Sequence, residues 1–294
     1  MKDTKHKILT LAALTTIAAG VIHLTNRVIV ASSQLKEMLD FSNHNYYNWR
    51  FGKIYYTKKG KGSPLLLIHD TMPGASGYEW SRVEDQLAQE HTVYTLDLLG
   101  CGRSEKAGIT YTNFLFVQII CDFIKNVIKE KTDIIASGFS CSFVTTAAAY
   151  DKESINKIMF INPVSMISLA QTTTKKDKLF KFFIELPIFG TFIYHIIVSR
   201  ETINDFFLDN LYYNPFHVDK DVLDAYYEAA HKGGYYAKCL YSSQSAKYMN
   251  INIRHAVESI DNSIYIVEGE DEPNGAAIVE AYQKVNPAIE SATI

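Results

Sequence analysis

Gly138-Phe139-Ser140-Cys141-Ser142 is the stretch whose reading decides the fold. A short, mostly apolar run, residues 133–136, precedes it, and a small-residue helical stretch, residues 143–150, follows it. A strand, a sharp turn carrying a serine and then a helix is the setting in which Gly-x-Ser-x-Gly presents a hydroxyl clear of the backbone. Small residues at both ends let the chain fold tightly around the serine, which is then held strained and exposed. Ser142 stands where that pattern has its second Gly.

Working outward, strand and helix patterns alternate on both sides of this turn. Residues 51–57 read as a strand, 59–62 as a hairpin-like turn and 64–68 as a continuous apolar run, the mark of a fully buried parallel strand. Helix patterns follow at 80–89 and 113–129, with a strand at 91–97 between them. Beyond the serine turn, residues 157–161 read as another buried strand, 263–268 as a further one, 276–284 as a helix and 289–294 as the beginning of a last strand. This order predicts an α/β fold: a mostly parallel sheet with helices on both faces, its ligands bound outside the carboxyl ends of the strands.

The 294 residues suffice for a large core. Lys and Arg number 29 against 32 for Asp and Glu, a net charge of -3, so no global basic field points to a nucleic-acid partner. The four cysteines, Cys101, Cys121, Cys141 and Cys239, show neither a metal-ligand spacing nor a disulfide framework. Gly100-Cys101-Gly102 lacks the remaining Gly of a dinucleotide motif. No cofactor or metal is expected. The 19 Tyr and 16 Phe favour aromatic-lined cavities and a small apolar substrate.

Residues 1–31 read as a membrane segment outside the core. Lys2, Lys5 and Lys7 precede an apolar run, 8–24, which a second run, 28–31, extends to bilayer-spanning length. A basic region before an apolar stretch also describes a cleaved signal peptide, but 31–33 makes a poor cleavage site. A signal anchor is the expectation. The positive-inside rule puts the N-terminus in the cytoplasm and the rest of the chain on the extracytoplasmic side, although Arg27 and Lys36 lie on the other flank. A linker, 32–48, leads to a first core part, 49–164, and the second core part is 251–294. Between them, 165–250 loses its strand signals and reads as aromatic-rich helices, expected to be a helical cap inserted into the sheet. Its apolar stretch 179–198 carries Lys181, Glu185, Pro187, Gly190 and His195, which argue for a helix pair lining a pocket against a second span.

These residues together resemble the cap-bearing α/β-hydrolases of the epoxide hydrolase, haloalkane dehalogenase and esterase type. Leu65-Leu66-Leu67-Ile68-His69-Asp70, followed by Pro73-Gly74, resembles the strand and His-Gly turn that carries half of the oxyanion hole. Asp97-Leu98-Leu99-Gly100-Cys101-Gly102-Arg103-Ser104 resembles the family's Asp-x-x-Gly-x-Gly-x-Ser turn, with Trp80 in the intervening helix. Residues 264–273 resemble the late strand and its acid-bearing turn. The resemblance runs from about residue 45 to the end of the chain.

On that resemblance Ser140 is the expected nucleophile, and a neighbouring base must take its proton. The amides of Cys141 and Thr71 are the expected oxyanion hole, so the Cys141 thiol is expected to be buried. The acid is expected three residues after Gly269, at Glu272, with Asp271 as the alternative and a surface acidic turn as the plainer reading. Asp70 departs from the family's Gly, and it is expected either to turn away and cap its turn or to help select the substrate. His69 is expected to be structural. Triad order is Ser, acid, His, yet no histidine follows His255, and His195, His217 and His231 fall in the cap.

Two explanations are open: a chain whose intact relatives continue to a histidine loop, or a chain that has lost catalysis. The expectation is therefore a membrane-anchored serine hydrolase-like protein acting by acyl transfer to water on a small or medium apolar ester or related carbonyl substrate, impaired by the missing base. The alternative is a noncatalytic apolar-ligand-binding or scaffold protein on the same fold. A third reading is acyl transfer to an alcohol, since one fold hosts many reactions.

Overall fold

The computed structural model describes residues 2–39 and 45–294, so residues 40–44 of the expected linker lie outside the described residues. Eight strands form one sheet in the order β1-β2-β4-β3-β5-β6-β7-β8. They are β1 (Tyr46–Trp49), β2 (Gly52–Lys59), β3 (Ser63–Ile68), β4 (His91–Leu96), β5 (Thr132–Ser137), β6 (Ile155–Ile161), β7 (Ile264–Glu268) and β8 (Glu290–Thr293). The β1–β2 and β2–β4 pairs are antiparallel, and every pair from β4 to β8 is parallel. Parallel strands need crossovers, and helices supply them.

Side chains alternate across a strand, which explains two separate apolar layers. Leu66 and Ile68, Ile134 and Ala136, Ile158 and Phe160, Ile264 and Ile266 face one way into the main core. There they meet α3 (Asn113–Phe123), α4 (Ser140–Tyr150), α11 (Arg254–Ser259) and α12 (Gly275–Val285). Leu65, Leu67 and Val93 face the other way onto Trp80 and Leu87. The helix expected at 80–89 is shorter than its pattern suggests: a 3₁₀ turn, Gly77–Trp80, and α2, Glu84–Leu87. The helix expected at 113–129 keeps its length but widens to a π-turn at Ile124–Ile128.

Between β6 and β7 the chain is helical throughout. The elements are α5 (Met166–Leu169), α6 (Lys175–Glu185), α7 (Phe189–Ile197), α8 (Arg200–Phe206), α9 (Lys220–His231) and α10 (Lys238–Ser245), with short 3₁₀ and π turns among them. Thr174 and Asp177 form a capping box that starts α6, and Pro187 with Gly190 accompanies the break before α7. The break bends the pair by 104°. This helical block lies over the carboxyl side of the sheet, where Ala75 joins Tyr194, Phe207 and Tyr226 in one apolar cluster.

The N-terminal helix α1 (Lys2–Ser33) contains one segment, Leu9–Ser33, long and apolar enough to cross a membrane. Its later part and the residues just after it are fastened to the helical block. Asn26 donates to the Ile188 carbonyl at 3.0 Å, the Met38 amide donates to Glu228 at 2.7 Å, and Lys36 pairs with Asp224.

The turn after β4 is held by a buried ion pair. Asp97 is wholly buried and accepts from the Arg103 amide at 2.7 Å, from its guanidinium at 2.8 and 3.0 Å, and from the Gly77 amide at 2.7 Å. Gly102 has φ +44°, and a Cβ there would meet Asp97 Oδ2 at 2.3 Å, so only glycine fits. Burial alone would raise the Asp97 carboxyl; the Arg103 charge and hydrogen bonds outweigh it and hold it below the usual carboxylate range. Stability from this pair is therefore present above the unfolded carboxyl's value of about 3.9 and is lost as pH falls below it. Asp97→Ala should cost about 3–5 kcal/mol in urea unfolding at neutral pH, because it takes the carboxylate partner from a largely buried guanidinium. A midpoint unchanged by the substitution would refute this account.

Candidate functional site

At the carboxyl end of the sheet, β5 gives way to α4 and β3 to the turn His69-Asp70-Thr71. The register pairs Ile68 with Ala136, which brings Asp70 beside Gly138. Between β5 and α4 the residue in left-handed conformation is Gly138, with φ +52°, and not Ser140. Ser140 is already the first residue of α4 and is wholly buried, its hydroxyl donating to the His69 carbonyl at 2.6 Å. The expectation of a strained, exposed Ser140 hydroxyl is thus corrected. The sharp turn lies two residues earlier, in Ala136-Ser137-Gly138-Phe139-Ser140, where small residues again flank a central position. That position carries no side chain. The spacing small-x-Gly-x-small was legible in the sequence, but the serine drew the reading two residues past the left-handed position.

Asp70 fills the space above Gly138. Its Oδ1 accepts from the Thr71 amide at 2.7 Å and from the Phe139 amide at 2.8 Å. A Cβ on Gly138 would stand 2.4 Å from the Asp70 carboxyl carbon. Asp70 does cap its own turn, as expected, but it points into the elbow rather than away from it. The Thr71 amide is therefore occupied. The Cys141 amide is turned into the helix, 3.4 Å from the Gly138 carbonyl, and its thiol is buried, 3.4 Å from the Ala136 carbonyl. Burial drives that thiol well above its ordinary value, so no thiolate forms there.

Two carboxyls crowd the turn. Glu79 accepts from the Asp70 amide at 3.1 Å and from the Ser137 hydroxyl. Burial pushes Glu79 up to about 7, the Ser137 hydroxyl opposes it, and the nearby Asp70 charge adds to it. Burial also raises Asp70, against the Phe139 and Thr71 amides, which favour its ionised form.

His69 is hydrogen-bonded through both ring nitrogens. The Leu98 amide donates to its Nε2 at 3.0 Å, which leaves the proton on Nδ1 for the Asp70 carbonyl. Glu272 is partly buried and its carboxyl is raised by that burial, while Asp271 is exposed. Both follow β7, which β6 separates from β5. His195 and His231 stack in the helical block with ring centroids 4.9 Å apart, and His255 is exposed on α11. Among the described residues no cluster of His, Cys, Asp and Glu could hold a metal.

Room at this end is small. A cavity of about 20 Å3 lined by Thr71, Gly100, Cys101, Tyr194 and Tyr241 lies under the helical block. That is close to the space of one water molecule. An apolar cavity of about 250 Å3 adjoins it at Met72, Pro73 and Tyr241 and reaches Ile197, Ile203 and Phe206. A wider groove of about 440 Å3 lies at the amino ends of the strands, by Leu65, Asp133, Lys157 and Ser263, away from the turns described above.

The raised Glu79 carboxyl makes a signed prediction. A carboxyl whose folded value lies above its unfolded one stabilises below the unfolded value, and that stability is lost as pH rises from about 4.5 to about 7. The unfolding free energy from urea titrations should fall across this window, by an amount on the order of 1–2 kcal/mol after allowance for partial exposure. Glu79→Gln should flatten the slope; an equal slope in the variant would assign it to other groups.

The α/β hydrolase fold family model matches residues 64–183. The chain is 28% identical over 114 residues to 2-hydroxy-6-oxo-6-(2'-aminophenyl)hexa-2,4-dienoic acid hydrolase of Metapseudomonas resinovorans, covering 38% of this chain and 39% of that protein. It is 29% identical over 109 residues to the soluble epoxide hydrolase of Corynebacterium sp. strain C12, covering 37% of each. These matches span about two fifths of the curated relatives. The crystal structure of a probable hydrolytic enzyme from Pseudomonas aeruginosa PAO1 superposes with a TM-score of 0.68 at 14% identity, covering 85% of this chain and 86% of that one.

Proposed function

From the premise that this chain is an α/β-hydrolase-fold protein, we propose that it is a membrane-anchored, noncatalytic binding protein for a small apolar ligand. One observation carries this reading: the Asp70 carboxylate takes both the Thr71 and the Phe139 amides. In the corrected register these are the two N–H groups that an oxyanion would need, one after the β3 turn and one just past the central residue of the elbow. A carboxyl group fixed there occupies both donors and leaves a forming oxyanion none. Gly138 in the central position supplies no nucleophile, and His69 has both ring nitrogens engaged.

On this reading α5–α10 form a cap, and the ligand lies in the apolar cavity between Met72, Pro73 and the cap residues Ile197, Ile203 and Phe206. The α1 helix is a signal anchor that leaves the remaining chain on the extracytoplasmic side. No cofactor takes part in binding of this kind.

The second reading keeps Ser140 as nucleophile, Thr71 and Cys141 as oxyanion hole and Glu272, or Asp271, as acid, acting on an ester. Its support is the hydrolase activity named for the curated relatives. A fluorophosphonate probe separates the two. The noncatalytic reading expects no adduct on Ser140 by peptide mass spectrometry and no ester turnover above the blank. Ser140→Ala should then act only on stability, by about 1 kcal/mol, through the lost bond to the His69 carbonyl. A stoichiometric Ser140 adduct overturns the proposal.

A double-mutant cycle tests the closed elbow. Gly138→Ser should destabilise by about 1–3 kcal/mol, because its side chain meets the Asp70 carboxyl and its backbone stays left-handed. Asp70→Gly should relieve part of that cost, a coupling that additive, independent sites do not show.

A further inference from the structure

The widest cavity near the N-terminal helix lies outside the elbow region altogether. It measures about 510 Å3 and lies open between the later part of α1 and the α6–α7 corner, with Asn26, Arg27, Val30 and Ala31 on one side and Ile188 and Tyr235 on the other. Its size falls in the range of small-molecule pockets. The bond from Asn26 to the Ile188 carbonyl ties the two walls together.

The height of this cavity along α1 identifies what it meets. Leu9, Leu11, Leu14, Ile17, Val21 and Leu24 are each at least 60% exposed, a face that water does not favour and a bilayer does. At 1.5 Å per residue, Leu9 to Arg27 spans about 27 Å, close to the roughly 30 Å hydrocarbon thickness. Arg27 therefore falls at the head-group boundary, where a cation is tolerated and meets anionic lipid. No ion pair engages Arg27 among the described residues. His195 also lines the cavity, but burial lowers it to about 4, with the charge of His231 adding to the effect, so it is neutral at ordinary pH.

The apolar surface does not stop at α1. Phe182 and Phe183 on α6 and Phe189, Ile193 and Ile196 on α7 are exposed between 41% and 59% and adjoin the cavity through Pro187 and Ile188. The corner thus continues the lipid-facing surface of α1, and the cavity opens between the two.

We propose that this cavity holds one acyl chain of an anionic lipid, with the head group paired to Arg27 at the boundary and the chain drawn out of the bilayer into the protein against Val30, Ala31, Ile188 and Tyr235. The site rests on the membrane seating of α1 proposed above; it is independent of whether the elbow is closed. Fatty acids and anionic phospholipids share this chemistry, and the test distinguishes them.

The full-length protein is reconstituted into phosphatidylcholine vesicles containing a diazirine-bearing fatty acid in one arm and a diazirine-bearing phosphatidylglycerol in the other. Flotation with the vesicles is scored first. Crosslinks should then map to the peptides holding Val30–Ala31 and Ile188, saturate, and be competed by the unlabelled lipid of the preferred arm. Ala31→Trp and Val30→Trp, which fill the cavity, should each lower labelling about tenfold, the effect of roughly 1.4 kcal/mol. Leu14→Trp, on the open face of α1, should leave it unchanged. Arg27→Gln should abolish the preference for the anionic probes over a diazirine-bearing phosphatidylcholine. Protein that fails to float overturns the anchor and this site with it. Protein that floats but is labelled without saturation along the open face at Leu14, Ile17 and Val21, or is labelled equally in the filling variants, overturns the site alone.

Discussion

A single carboxylate, that of Asp70, organises the carboxyl end of the sheet. Two main-chain amides converge there because β3 and β5 run parallel and end at the same level, so their following turns present N–H groups to one point. Converging amides attract negative charge, and water or a substrate usually supplies it. Here the chain supplies it itself. Asp70 is delivered by its own turn, so no domain movement or ligand is needed to satisfy Thr71 and Phe139. The geometry then propagates. Gly138 must lack a side chain because the carboxyl group stands where a Cβ would go, and Ser137 and Glu79 bond beneath it.

Most of the fold was legible in the sequence. Continuous apolar strands such as 64–68, separated by amphipathic stretches, determine a parallel sheet because both faces must be covered. The Asp97-to-Ser104 turn was legible for a comparable reason: a buried Asp, two glycines and an Arg at fixed spacing have few other uses. The site was less legible. A strand-turn-helix pattern places an elbow only to within two residues, because small residues recur at 136, 138, 140 and 142. What decides among them is the pairing of β5 with β3, a long-range fact that local spacing does not carry. The same limit explains α2. Apolar residues 83, 87 and 88 have helical spacing, but only Leu87 and Ala88 pack against the sheet while Val83 is exposed, and α2 is a single turn.

The helical block shows how a covering element can acquire a second role. Its inner residues, Tyr194, Phe207 and Tyr226, pack over the β3 turn, and little open volume remains there. Its outer residues on α6 and α7 are as apolar as the inner ones, which a block immersed in water does not require. An aromatic-rich segment read from sequence cannot be divided between these two faces, since both obey the same 3.6-residue period. The bend at Pro187 makes the division, turning α7 against α1 and leaving Phe182 and Phe183 outside.

Closing the elbow from within has an energetic consequence for the rest of the molecule. Open oxyanion sites hold unpaired donors and a strained residue, both of which cost stability that function repays. In this chain the donors are paired, the left-handed position is a glycine, and the Ser140 hydroxyl is bonded inside the core. The strain expected of an active elbow is therefore absent, while a different cost appears: two neighbouring carboxyls, Asp70 and Glu79, are held where burial opposes their charge. Such a pair is tolerable only if at least one member remains protonated or the amides compensate. The two amides on Asp70 act in that direction by favouring its ionised form, and the Ser137 hydroxyl does the same for Glu79, while burial raises both carboxyls.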